Sequence, residues 1–206
     1  MIDYKMKSIP KKIVVATKNN GKVRELQELS KDLGITILSL NDFPGAPDVE
    51  ENGQTFEENA LKKAREIYRF TKTSALADDS GLCVDALDGR PGVFSARYAG
   101  IDVPDNLRYE KLLHELEGIP CSERTARFVC VLALVLAESD EIVIRSECHG
   151  VIIDEPRGSN GFGYDPVFLY EPKGLTFAEM DGDAKNRVSH RGKAMRERIE
   201  KLKSFG

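Results

Sequence analysis

The sequence predicts an α/β fold: an elongated, two-lobed structure around a long mixed β-sheet, with helices packed at both ends and a central cleft. Two observations lead there. An apolar, β-branched run at residues 12–16 is followed by an amphipathic helical pattern and a second apolar run, the order of a right-handed strand–helix–strand crossover. Residues 124–137 and 141–153 then form two long stretches around a Ser139-Asp140 turn signal, an antiparallel hairpin. At about 3.3 Å per residue the first of these would extend about 46 Å, against a diameter of about 43 Å for a compact chain of this length. One hairpin would therefore cross the whole molecule.

Taken in order, residues 1–12 are polar and lysine-rich, a frayed lead-in to a single catalytic domain of two lobes. Residues 21–33 carry Val23, Leu26, Leu29 and Leu33 on one stripe, with Gly34 as the stop of a helix, and residues 35–40 read as the next strand. Residues 41–54 are a polar loop. Thr55 and Glu58 form a capping-box pattern for a helix over 55–70, whose buried side is Phe56, Ala60, Ala64, Ile67 and Tyr68. Residues 74–77 predict a short strand entering an Asp78-Asp79-Ser80-Gly81 turn, with 82–86 as its partner. Residues 88–104 are an extended Gly/Pro loop. Asp105 is placed as the cap of a helix with Leu107, Leu112, Leu113 and Leu116 inward. After a glycine-rich loop at 156–166, residues 166–170 return as a strand. Ser189 caps a last helix over 189–203, with Met195, Ile199 and Leu202 as its stripe.

Composition excludes several classes. The chain has 206 residues, 31% charged and 41% hydrophobic, with a net charge of −4, ordinary for a soluble globular protein. That mild acidity argues against a general nucleic-acid binder. The longest apolar run, 128–137, is too short to cross a bilayer as a helix. Cys83, Cys121, Cys130 and Cys148 lack C-x-x-C spacing, and no export signal is visible, so reduced thiols in a cytoplasmic protein are expected. Charge is uneven: residues 42–58 hold six acids and no Lys or Arg, whereas 185–203 hold eight bases and two acids. Two solvated surfaces would account for this, and so would a cation-binding lobe facing an anion-binding one.

Five segments carry candidate chemistry. Thr17-Lys18-Asn19-Asn20-Gly21-Lys22 lies at a strand exit and helix entrance, where free N–H groups and the positive helix end suit phosphate. It lacks P-loop spacing, and taken alone it is better explained as an Asn-rich turn with an exposed lysine. Asp78 and Asp79, adjacent at a strand end, point to opposite sides and so suit different roles. Glu50-Glu51 could add a carboxylate to one of them; magnesium takes one or two carboxylates and lets substrate phosphates complete its shell. Phe162-Gly163-Tyr164-Asp165 could wall a flat ring, or could plug the sheet end. Lys185 and Ser189-His190-Arg191 place cations at a helix start, where the macrodipole disfavours them, which hints at an anionic or carbonyl partner. His114 and His149 have no such companions.

ATKNNGKVREL, EENGQTFEENA, ADDSGLCVDAL, PGVFSARYAG, GFGYDPVF and SHRGKAM, in that order and spacing, resemble the inosine/xanthosine triphosphate pyrophosphatases from Ile13 to about Lys203. The resemblance implies hydrolysis of ITP, dITP and XTP to the monophosphate plus pyrophosphate, a Mg²⁺ cofactor, a two-lobed fold and a homodimer. It also implies that Thr17, Lys18, Asn19, Asn20, Gly21 and Lys22 hold the triphosphate, and that Glu50 and Asp79 hold the metal. Asp79 would be the proton acceptor and Ser80 a substrate contact. Phe162, Gly163, Tyr164, Asp165, Lys185, His190 and Arg191 would line the nucleotide and purine pocket.

In-line attack by a water that Asp79 orients and the cation activates would follow, with Lys22 neutralising developing charge. Arg191 or His190 would donate to the purine 6-oxo group. The group facing position 2, which must disfavour guanine and accommodate xanthine, is not identified by the sequence. Rival readings are an NTP phosphohydrolase releasing phosphate, a nucleotide-binding module without turnover, and a nucleic-acid binder using 185–203.

Overall fold

Lys12–Val15 (β1) runs parallel to Thr36–Ser39 (β2), joined by the helix Asn20–Ser30 (α1), as the crossover pattern predicts. The computed structural model describes residues 10–31 and 34–204. Residues 1–9 of the expected lead-in and Leu33 lie outside the described residues, as do the side chains of Ile199 and Leu202. Phe56–Thr71 (α2) follows, and its capping box is formed: Thr55 Oγ1 accepts from Glu58 N at 3.1 Å while Glu58 Oε2 accepts from Thr55 N at 3.4 Å.

Ala75–Val84 (β3) corrects the first expectation. It is one continuous strand through Asp78-Asp79-Ser80-Gly81, with no turn and no separate partner strand at 82–86. The reason is the neighbouring strand Thr125–Ala137 (β4), which pairs with it residue by residue from Ala75↔Val135 to Val84↔Ala126. A full antiparallel ladder outweighs the local turn preference of Asp, Ser and Gly. β4 in turn pairs with Asp140–Ile152 (β5), making the long hairpin, with a register shift between Val135 and Ala137. The turn is Glu138-Ser139, one residue earlier than expected, because Asp140 already pairs with Ala137. Phe168–Tyr170 (β6) and Leu175–Thr176 (β7) complete a seven-stranded mixed sheet ordered β2-β1-β3-β4-β5-β6-β7.

Three hydrophobic clusters divide this sheet. Ala75, Ala77, Val129 and Val131 face α2, while Leu76, Cys130 and Leu132 pack on the opposite side with Val23 and Leu26 of α1. Past residue 81 the core changes: Leu82, Val84, Ala126 and Phe128 join Leu112 and Leu116 from the region of Asp105–Glu115 (α3). On that face Asp78 and Ser80 therefore fall where one core ends and the next begins, while the cluster on the α2 side continues to Cys83.

One helix start differs from expectation, and one short helix is additional. Pro104, not Asp105, is the N-cap of α3, and the Asp105 carboxylate instead accepts from Gly163 N at 2.6 Å. Leu107 is 43% exposed; five residues from Leu112, it lies roughly 140° around the helix. A short helix, Gly182–Val188 (α4), precedes the last one, His190–Ser204 (α5). Ser189 does cap α5, its Oγ accepting from Gly192 N at 3.1 Å. Gly192 is required at this junction, since a Cβ there would lie 1.8 Å from Asn186 O. Among the described residues, no helix is long and apolar enough to cross a membrane.

Candidate functional site

β1 ends at Val15 and its last rung is Ala16 N to Leu76 O at 2.8 Å, after which the chain turns away into α1. β3 continues without that neighbour, so its edge is open at Asp78–Ser80 before Ser95, Pro91 and Arg90 cover it from Leu82 onward, at the carboxyl ends of the parallel strands where α/β folds form their crevice. The Asp78 carbonyl, with no strand partner on this edge, accepts from Lys63 Nζ at 2.9 Å and from Lys22 Nζ at 3.3 Å. One lysine comes from α2 and the other from α1.

The two aspartates do face opposite sides. Asp78 is fully buried and meets Lys22 Nζ at 2.6 Å, Arg191 Nε at 2.7 Å and Ser80 Oγ at 2.8 Å. Burial works against its charge, but Arg191 and Lys22 outweigh it and hold the carboxyl well below the usual range. Asp78 is thus a buried anion that assembles the cations around it. Asp79 faces α2, where Lys63 Nζ lies 3.1 Å from its Oδ1 and 2.7 Å from Glu51 Oε1. Its Oδ2 is buried with no hydrogen-bond partner among the described residues, and burial pushes this carboxyl up despite Lys63 and Lys22.

That orphaned oxygen is the observation that fits a hard cation. Among the described residues no three His, Cys, Asp or Glu side chains converge on a closed cage. A site of one or two carboxylates completed by phosphates is the kind magnesium uses. The carboxylate the structure brings beside Asp79 is Glu51. Glu50 is exposed and its Oε2 accepts from Asn52 Nδ2 at 3.2 Å. The loop's register, set by Lys62 Nζ on Glu50 O at 2.8 Å and Arg97 Nη2 on Glu51 O at 3.1 Å, decides which of the pair turns inward.

A pocket of about 240 Å³ opens beside this junction. Of the sequence-predicted residues it gathers Asn19, Gly21, Lys22, Ser80, Phe162, Gly163, Tyr164, Asp165, Lys185, His190 and Arg191. Thr17, Lys18, Asn20, Asp79 and Glu50 are not in its lining. Lys18 is exposed and paired with Asp48 at 3.1 Å. The amides expected to be free at the start of α1 are in part taken: Asn19 Oδ1 accepts from Gly21 N at 2.9 Å and Lys22 N at 3.1 Å.

At the other end Phe162 forms a wall, its ring 4.8 Å from Lys185 Nζ and in the path of any side chain at Gly21. Tyr164 is buried and its hydroxyl donates to Ser95 O at 2.9 Å, so it acts as the plug. Asp165 Oδ2 is already engaged, by Phe162 N at 2.9 Å and Lys185 Nζ at 2.7 Å. Arg191, expected to reach a purine oxygen, spends its guanidinium on Asp78, Ser80 and Glu25. The anionic partner hinted at by its place in the helix is therefore internal. His190 stacks on Phe128 at 4.8 Å and its Nδ1 has no partner among the described residues. Burial, with Arg191 beside it, holds the imidazole well below its usual pKa, so the ring is neutral.

Three groups escaped the sequence reading. Lys63 stands between Ala60, Ala64 and Ile67 on the buried stripe of α2, a charged residue at a core position, and that conflict was the available signal. Glu25 joins Lys185 Nζ at 2.8 Å to Arg191, and although burial opposes its charge, Arg191 and Lys185 bring its pKa down to about 2. Arg108 borders the pocket from α3. Neither of these two has a sequence signal.

Residues 13–201 match the model of the Ham1 family. The chain is 55% identical over 184 residues to the dITP/XTP pyrophosphatase of Geobacter sulfurreducens, covering 89% of this chain and 92% of that protein. It is 53% identical over 185 residues to the dITP/XTP pyrophosphatase of Geobacillus kaustophilus, covering 90% and 91%. A solved HAM1 protein from Coxiella burnetii superposes with a TM-score of 0.85 at 45% identity, covering 94% of this chain and 98% of that one. The Staphylococcus aureus Ham1 protein gives 0.84 at 36% identity, covering 95% and 100%.

Proposed function

The chain belongs to the Ham1 family, and from this we infer that it hydrolyses deaminated purine nucleoside triphosphates (ITP, dITP and XTP) to the monophosphate and pyrophosphate. The observation that carries the reading is the open edge of β3, where lysines from both sides of the sheet meet at Asp78 while Asp79 keeps a free carboxylate oxygen.

In this reading Lys22, at the start of α1, neutralises the triphosphate, helped by the positive helix end. Asp79 Oδ2 accepts the proton of the attacking water; a carboxyl pushed up by burial is a stronger base than an exposed one. Lys63 holds Asp79 and Glu51 in place between them. Magnesium, held by Asp79 with Glu51, would polarise the phosphate oxygens when bound. Phe162 offers a face for the purine, and neutral His190 borders the pocket beside it. Arg191 acts by fixing Asp78, Ser80 and Glu25.

The same reading includes a homodimer, for which exposed Phe94 and Ile101 are candidate contacts, and a cytoplasmic setting in which the four free cysteines stay reduced. Sedimentation tests the dimer. Incubation with a nucleotide panel and Mg²⁺, quantifying monophosphate, pyrophosphate and phosphate for each, tests the activity. Release of inorganic phosphate and the nucleoside diphosphate instead of pyrophosphate would refute it, as would equal turnover of ATP and ITP.

A further inference from the structure

Arg108 lines the pocket from α3, with 17% of its side chain exposed. Its Nη1 donates to Asp105 Oδ1, while its Nε is buried without a partner among the described residues. A guanidinium carries five N–H donors and no acceptor, so most of its donating capacity is uncommitted. The same Asp105 carboxylate accepts, through Oδ2, from Gly163 N at 2.6 Å. Asp105 therefore clasps Arg108 to the turn that carries Phe162, the wall offered to the purine.

The other cations at this end are spent. Lys185 is held by Asp165 and Glu25, and Arg191 by Asp78 and Glu25. We propose that Arg108 determines selectivity at position 2 of the purine, its guanidinium donating to the 2-oxo group of xanthine. This rests on the reading of the substrate as a deaminated purine triphosphate. A donor-only group there has three different consequences. Xanthine's 2-oxo accepts from it, and hypoxanthine's C2–H leaves it to solvent. Guanine's 2-amine meets a donor with a donor, and both are left unpaired at a desolvation cost.

The test is kcat/KM for XTP, ITP, dITP and GTP with Mg²⁺, in the wild type, Arg108→Gln and Arg108→Lys. Loss of a charge-assisted hydrogen bond predicts a fall in XTP of about ten- to a hundred-fold relative to ITP in Arg108→Gln. GTP rises relative to ITP in the same variant. Arg108→Lys keeps a cation against Asp105 but loses the planar fork, so it retains ITP turnover and folding while XTP preference still drops. Equal losses on XTP and ITP would overturn the proposal, leaving Arg108 as a prop for the Gly163 turn. So would a loss on ITP that spares dITP, which marks a ribose contact, or an unchanged XTP-to-ITP ratio. A wild type inactive on all four overturns the functional reading and this inference with it, whereas an active wild type with an unchanged ratio in the variants overturns the inference alone.

Discussion

Lys63→Met removes the ammonium that touches both Glu51 and Asp79 and leaves an apolar side chain of similar length. Lys63 and Asp79 are each 7% exposed and 3.1 Å apart. At that distance, with an effective dielectric of about 20, their attraction is about 5 kcal/mol. Desolvation already opposes the pair, so breaking it should destabilise the fold by about 3–5 kcal/mol, because Asp79 is left buried without its counter-charge. The sign on Asp79 is upward: burial already raises its pKa, Lys63 holds it down, and Glu51 beside it raises it further. Loss of an opposite charge at this range moves a carboxyl by about 1–3 pH units. The acid limb of the kcat/KM profile for ITP should therefore shift up by about that amount, since more of the variant's Asp79 is protonated at a given pH. Urea denaturation measures the first effect and the pH profile the second. An acid limb that stays in place, with stability within about 1 kcal/mol of wild type, would refute the role given to Lys63.

Asp79→Asn keeps the volume but removes the proton-accepting oxygen, and turnover should fall by about 10²–10⁴ with the circular dichroism spectrum unchanged; near-normal turnover removes Asp79 from the chemistry. Gly192→Ala forces a methyl into Asn186 O, 1.8 Å from the Cβ position. It should cost about 2–3 kcal/mol and lower kcat/KM, because the strained junction carries both Lys185 and His190; unaltered thermal stability would contradict this. Glu25 binds its proton less readily when folded, at about 2 against an ordinary 4.5. Its contribution, about 3 kcal/mol, is present above pH 4.5 and lost as pH falls towards 2. Chemical denaturation should show that slope in the wild type and a shallower one in Glu25→Gln.

Much of this molecule was legible in the order of its residues. The crossover of β1, α1 and β2 follows from β-branched runs around an amphipathic helix, and the start of α2 from Thr55 and Glu58, whose hydrogen bonds span three residues. The opposite facing of Asp78 and Asp79 follows from the two-residue period of a strand. Signals of this kind are local: backbone geometry settles them within a few positions. Reading 78–81 as a turn failed because the competing interaction is a ladder to β4, about fifty residues away in the chain and invisible to local propensity.

Amino-acid order alone therefore determined most of the elements, though neither α4 nor the continuity of β3, and the opposite facing of Asp78 and Asp79. Tertiary packing decided which charges meet. Glu51 rather than Glu50 faces Lys63 because the loop is pinned against α2 and Arg97, and Arg191 answers to Asp78 and Glu25 rather than standing free for a ligand. Arg108 borders the pocket beside an Asp105 that also ties α3 to Gly163. Each of these outcomes depends on distances of a few ångströms between groups far apart along the chain, where burial magnifies electrostatic energies, and no spacing rule in a sequence encodes such distances.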